Sequence, residues 1–154
     1  MDWQRLFLSP QGRIGLKDFW IAWLILFVAG IVLGMVPVLG AVIGLLLIYP
    51  QVCVYVKRLH DMGKTGWLVL LPLALTFGLL IAAFVVGGAS VFAMAGATGS
   101  PDAGMLAALG SVAVFLLLIL VVNLGFLLWV GLSKGDPDTN QYGPPPQTAV
   151  AGAF

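Results

Sequence analysis

The residues able to do chemistry are few. The chain has one His, one Cys, seven Lys or Arg, and six acidic residues that are all Asp. Its densest polar run is Lys57-Arg58-Leu59-His60-Asp61-Met62-Gly63-Lys64-Thr65-Gly66-Trp67. Arg58 and Asp61 are three apart, which puts both on one helix face and predicts an ion pair. His60 adjoins Asp61, but neighbours point in different directions on a helix, so the two are not a ready-made His–Asp dyad. Lys57 and Arg58 fall in the last turns of a predicted helix, where cations complement the dipole. Gly63 can supply a left-handed C-terminal cap, and Thr65 can cap the start of the next helix. A catalytic zinc takes several His, Cys or acidic ligands, and a single His with no Glu argues against one. Cys53 has no partner for an internal disulfide and is expected as a small buried apolar residue. Asp136, Asp138 and Asn140 alternate like part of a calcium loop, but the terminal Glu is missing and Gly143 is wrongly placed. A turn built on Asp-Pro, Asn and Gly is the better account. No metal and no cofactor are expected.

Two further polar patches flank this run. One is Gly12-Arg13-Ile14-Gly15-Leu16-Lys17-Asp18-Phe19-Trp20, and the other spans residues 131–144. Together the three patches predict a polar platform formed by Arg13, Lys17, Asp18, Arg58, His60, Asp61, Asn140 and Tyr142. Ion pairs within it would join the N-terminal segment, the central loop and the tail.

Composition decides which elements must hold these patches. Of the 154 residues, 61% are apolar and 8% are charged, against about 25% charged in a soluble domain. The mean hydropathy is +1.10. Such a chain cannot present a water-soluble surface, so a soluble domain, a disordered chain and a nucleic-acid binder are excluded. The charges leave three gaps, at residues 19–56, 65–101 and 103–133. A crossing takes about 20 apolar residues. The first gap is too long for one crossing and long enough for two, with a turn at Pro37-Val38-Leu39-Gly40. Helices are therefore expected over about 18–36, 40–59, 67–88 and 103–132.

With four crossings, all seven Lys and Arg share one side, and the other side holds Asp102 alone. The positive-inside rule makes the basic side cytoplasmic. Trp20 and Trp23, Tyr55, Trp67 and Trp129 lie at the four expected cytoplasmic ends, as an interfacial belt requires. The first apolar stretch is of spanning length and reads as an uncleaved signal-anchor. The fold class is thus an all-α membrane protein, a four-transmembrane-helix bundle with N- and C-termini cytoplasmic. Residues 1–143 form its single domain, and the Pro- and Ala-rich stretch 144–154 is a disordered tail.

Within the spans the polar residues are Gln51, Thr76, Ser90, Ser111 and Asn123. None is ionisable, which counts against ion-coupled transport. Gln51 and Asn123 are expected to form interhelical hydrogen bonds. Small residues recur four apart, as at Gly30 and Gly34 or Gly40 and Gly44, which allows close packing of helix backbones.

The three patches together resemble domain-of-unknown-function family 805, the small YhaH-like bacterial inner-membrane proteins. The match is carried by Gly12-Arg13 with Phe19-Trp20, then Arg58-Leu59-His60-Asp61 with Gly63 and Gly66-Trp67, then Gly135, Asn140, Gly143 and Pro146. It covers about residues 5–146. The family usually carries a second basic residue where Leu16 stands and often Arg where Lys57 stands. The resemblance implies a four-helix protein of the bacterial inner membrane and supplies no reaction.

The function expected is that of a non-enzymatic membrane module whose platform binds a partner protein or an anionic lipid headgroup. One alternative is a transporter or channel component acting as an oligomer, since four helices alone enclose no pore. A lipid-active enzyme with His60 as general acid or base is a third. The expected partners are the lipid bilayer, anionic lipid headgroups, and a protein partner or a second copy of the chain, with no nucleic acid.

Overall fold

A computed structural model describes residues 3–36, 39–98 and 101–146. The elements are α1 (Trp3–Leu8), α2 (Leu16–Gly34), α3 (Leu39–Asp61), a single 3-10 turn (Gly66–Val69), α4 (Leu70–Thr98) and α5 (Pro101–Leu132). Among the described residues there is no β-strand, and the sole sheet-like pairing is the isolated bridge between Asn140 and Gly143. Among the described residues, four helical stretches are long and apolar enough to cross a membrane: Leu16–Gly34, Val42–Asp61, Gly66–Ala93 and Gly104–Leu132. In hydrocarbon each backbone polar group must be satisfied within the segment, so a helix is the form such stretches take. Large apolar side chains such as Leu45 and Phe84 stay exposed along them, as lipid contact allows and water does not.

The chain forms two compact units. One runs through Val69 and resumes at Leu128, and the other is Leu70–Leu127. In the first unit α2 and α3 make an antiparallel hairpin. Phe19 meets Tyr55 edge to face at 5.5 Å. Toward the other end, a Cβ on Gly40 would lie 2.9 Å from the Gly34 carbonyl oxygen, so the close backbone approach requires glycine there. The Trp20 indole N–H donates to the Gly131 carbonyl at 3.0 Å and ties the end of α5 to α2. Phe19, Ala22, Leu59 and Val130 are completely buried. The well-packed part of this unit is thus the end where α3 and α5 terminate. In the second unit α4 and α5 are antiparallel, with Asn123 Nδ2 donating to Thr76 Oγ1 at 2.8 Å. Asn123 also donates to the Ile119 carbonyl of its own helix.

Three boundaries differ from the sequence expectation. The third spanning helix opens as a 3-10 turn and continues to Thr98, well past Gly87-Gly88. That pair does not end the helix because hydrocarbon offers a broken helix no other partners. Gly87 instead makes room for packing, since a Cβ on it would lie 3.3 Å from Val112 Cγ2. The second spanning helix continues through His60 and Asp61. It ends in a Schellman motif, with Lys64 N–H donating to the Leu59 carbonyl at 2.8 Å and Gly63 N–H to the His60 carbonyl at 3.1 Å. Gly63 takes the left-handed φ of 68° that this cap needs. Finally, α1 was not expected. Its Leu6 is buried, while Trp3 and Phe7 stack on one another. The expected 37–40 turn falls partly, and the tail beyond 146 wholly, outside the described residues.

A Cβ on Gly131 would lie 2.6 Å from Trp20 Cζ2, whereas one on Gly78 would meet nothing within 4 Å. Gly131→Ala is therefore expected to cost about 1–3 kcal/mol by overpacking. Gly78→Ala should be neutral or slightly stabilising. Thermal melting of the two variants in one detergent checks the difference.

Candidate functional site

The site is built around one carboxylate. Arg58 and Asp61 share a face at the last turn of α3, and Arg58 Nη1 donates to Asp61 Oδ2. The other oxygen, Oδ1, faces Arg13, whose Nη2 is 3.1 Å away and whose Nε donates to it at 3.2 Å. All three side chains are nearly sealed from solvent, at 1% for Arg13, 2% for Arg58 and 4% for Asp61. Two cations on one anion leave an excess positive charge in a buried place, where charge is costly unless it is hydrogen-bonded. Backbone carbonyls meet that need. Arg58 Nε donates to Val130 O at 3.2 Å, and its Nη2 donates to Ser133 O. Arg13 Nη1 donates to Asp138 O at 2.7 Å and to Gly143 O at 3.1 Å. Its Nη2 donates to Asp136 O and, at 3.4 Å, to Asp61 O. Several of these acceptors lie at or just past the C-terminal ends of α3 and α5, where the helix dipole favours cations.

The loop after α5 folds over this core. Asp136 N–H donates to the Asp61 carbonyl at 2.6 Å. The Asp136 side chain accepts from Asp138 N–H at 3.1 Å, which makes the turn across Pro137. Asn140 Nδ2 donates to the His60 carbonyl at 3.0 Å and to Asp136 Oδ2 at 3.4 Å. Asn140 Oδ1 accepts from Tyr142 N–H at 2.9 Å. The Tyr142 ring is thereby laid flat on the His60 imidazole, with centroids 3.7 Å apart and planes within 5°. His60 Nδ1 is 3.2 Å from the Gly12 carbonyl. A carbonyl only accepts, so Nδ1 carries the proton there. Two glycines make these approaches possible. A Cβ on Gly135 would overlap the Asp61 carboxylate, and one on Gly66 would lie 3.1 Å from His60 Nε2.

Six of the eight expected platform residues therefore converge: Arg13, Arg58, His60, Asp61, Asn140 and Tyr142. Asp18 stands apart from this network and lines a cavity that Arg13 also borders. Lys17 is exposed in the first turn of α2 and takes no part. Gln51 lines a groove between α2 and α3 with Trp23 and Phe27. Asp136 and Asn140 spend their side chains on the loop, not as a calcium-loop array. Among the described residues no three His, Cys or acidic groups are clustered as a metal site. Sequence reasoning missed the role of Lys57. It is 4% exposed, and its ammonium donates to the carbonyls of Arg5 and, at 3.2 Å, Leu6. It thus holds α1 as well as complementing the dipole of α3. The signal available was a cation at the very edge of a charge-free stretch, still within the expected helix instead of beyond it.

Removing one member of a buried charge network strands the others and costs about 3–5 kcal/mol. Arg58→Ala and Asp61→Ala are expected to lose that much in detergent. Lys64 is exposed, with its ammonium 5.8 Å from the Trp129 ring centroid, and Lys64→Ala should stay within about 1 kcal/mol of wild type. Equal melting temperatures for the three variants would refute a structural pair at Arg58 and Asp61.

Comparison with known proteins places this sequence in a family. The family described as "Protein of unknown function (DUF805)" matches residues 7–144. The Uncharacterized protein YiiR of Escherichia coli strain K12 is 37% identical over 83 residues, which cover 48% of this chain and 56% of that protein. The Uncharacterized protein YiiR of Escherichia coli O157:H7 matches with the same identity and coverage. The chain spans little more than half the length of these curated relatives. No solved structure matches. The family match runs from α1 to the Asn140–Gly143 loop and so contains every member of the Arg13–Asp61–Arg58 network: the chain belongs to the DUF805 family.

Proposed function

We propose that this chain is a multi-pass protein of the bacterial inner membrane with both termini in the cytoplasm. Its cytoplasmic end is a non-enzymatic binding platform for a partner protein or an anionic lipid headgroup. The observation that carries this reading is how the reactive groups are spent. The Asp61 carboxylate is shared by two guanidiniums, the guanidiniums are taken up by backbone carbonyls, and the imidazole is stacked on Tyr142. No nucleophile stands beside a base in that arrangement, whereas catalysis needs a group poised for proton transfer or attack. A rigid, charged end at the border of apolar helices suits recognition. Cations at that border are attracted to anionic lipids.

Orientation is tested with reporters. One fused after Phe154 is expected to be active only if it works in the cytoplasm, and one inserted at Gly99 only if it works outside. Function is tested on purified protein. Lipid or protein retained through gel filtration by the wild type should be lost from Asn140→Ala, provided that variant still melts cooperatively. Proteoliposomes are expected to stay tight to ions and small solutes. Flux that depends on the protein would replace the platform reading with an oligomeric transporter.

A further inference from the structure

Three of the cations are not spread over a surface. Arg5, Arg13 and Lys57 line one cavity of about 480 Å³, together with Ser9, Gln11 and, as the one acid among the described residues, Asp18. Its walls come from α1, the segment 9–15, the first turn of α2 and the last turns of α3. Arg13 and Lys57 are fixed in place. Arg13 is held by Asp61 and the loop carbonyls. Lys57 is held by the carbonyls that close α1. A fixed cation loses little side-chain entropy when a ligand arrives. The carboxylate facing Arg13 is shared with Arg58, so it does not cancel the positive charge of that wall. Gly12 turns the segment around the cavity with a φ of 90°.

The cavity also lies at a particular depth. Asp18 is in the first turn of the span Leu16–Gly34, and Lys57 is one turn before the end of the span Val42–Asp61. For a hairpin crossing a bilayer, the ends of spans of that length fall at the headgroups. On α1, Trp3 is 48% and Leu8 62% exposed, an aromatic and aliphatic edge suited to the interface. The volume falls in the range of small-ligand sites, about 300–1,000 Å³. It exceeds what a bare phosphate fills.

We propose that this cavity binds the phosphate-bearing headgroup of an anionic phospholipid. The inference rests on the platform reading above and names the ligand and its place. Arg5, Lys57 and Arg13 supply the positive field, Ser9 and Gln11 supply neutral hydrogen-bonding groups, and Asp18 opposes the anion.

The test uses the full chain in phosphatidylcholine nanodiscs with increasing phosphatidylglycerol, and bound lipid is counted by native mass spectrometry. A saturable phosphatidylglycerol site is expected. Arg5→Gln should weaken it about fivefold, the worth of one cation beside an anionic headgroup. Asp18→Asn should tighten it by a similar factor, which no loss of fold would do. Lys17→Gln, which removes another exposed cation outside the cavity, should change it by less than about twofold. If Lys17→Gln weakens binding as much as Arg5→Gln while Asp18→Asn does nothing, the attraction is diffuse and the cavity is not a site. If millimolar inorganic phosphate displaces all the bound lipid, the ligand is a soluble phosphate and the lipid assignment falls. Should the cavity variants leave lipid untouched while Asn140→Ala still abolishes partner retention, the cavity assignment fails and the platform reading stands.

Discussion

A carboxylate buried between two guanidiniums sets the terms for the rest of this end of the molecule. Asp61 can remain charged out of water only because Arg13 and Arg58 each take one of its oxygens. The two arginines can remain charged only because other acceptors reach their remaining N–H groups. Those acceptors are backbone carbonyls contributed by the end of α5 and the loop beyond it. The electrostatic need of three side chains therefore fixes the path of two stretches of backbone. Gly135 follows from the same need, since any side chain there would occupy the space of the carboxylate.

The lipid environment explains why so much specificity is concentrated in one place. Lipid tails are as apolar as leucine, so burying leucine against leucine does little to hold helices together in a membrane. What remains is close packing and polar contact. The α2–α3 hairpin uses both. Its backbones approach at Gly34 and Gly40, and its other end is clamped by aromatic contacts and the arginine network. The second unit uses the same means sparingly, with the Asn123–Thr76 bond and the notch at Gly87.

Much of this was legible in the sequence, for physical reasons. Charge-free gaps reveal spans because a charge in hydrocarbon is expensive, and the i,i+3 spacing of Arg58 and Asp61 reveals their pairing because helix geometry is fixed. The convergence of the Arg13 and Asn140 segments on α3 followed from chain topology alone. The partners of Arg13 did not, because the carbonyls of Asp138 and Gly143 reach it through a loop whose turns depend on tertiary contact. The role of Lys57 was hidden for the same reason, as it depends on α1, a helix of six residues with too short a pattern to read. Gly87-Gly88 misled because glycine breaks helices in water but packs them in lipid.

The network also divides the cations by what they can do. Arg58 has committed its donors to Asp61, Val130 and Ser133, so it serves architecture. Arg13 is committed in the same way, yet its charge still borders the cavity. A hydrogen bond is exhausted by its partner, but a field is not, because charge acts through space on whatever enters nearby. A charge held in place also acts on a ligand without first losing side-chain freedom, which a mobile surface charge must lose. The same bonds that take up the donors of Arg13 and Lys57 therefore also hold both cations at the wall of that cavity. On the proposal of a lipid site, a structural role and a binding role would be two consequences of one arrangement.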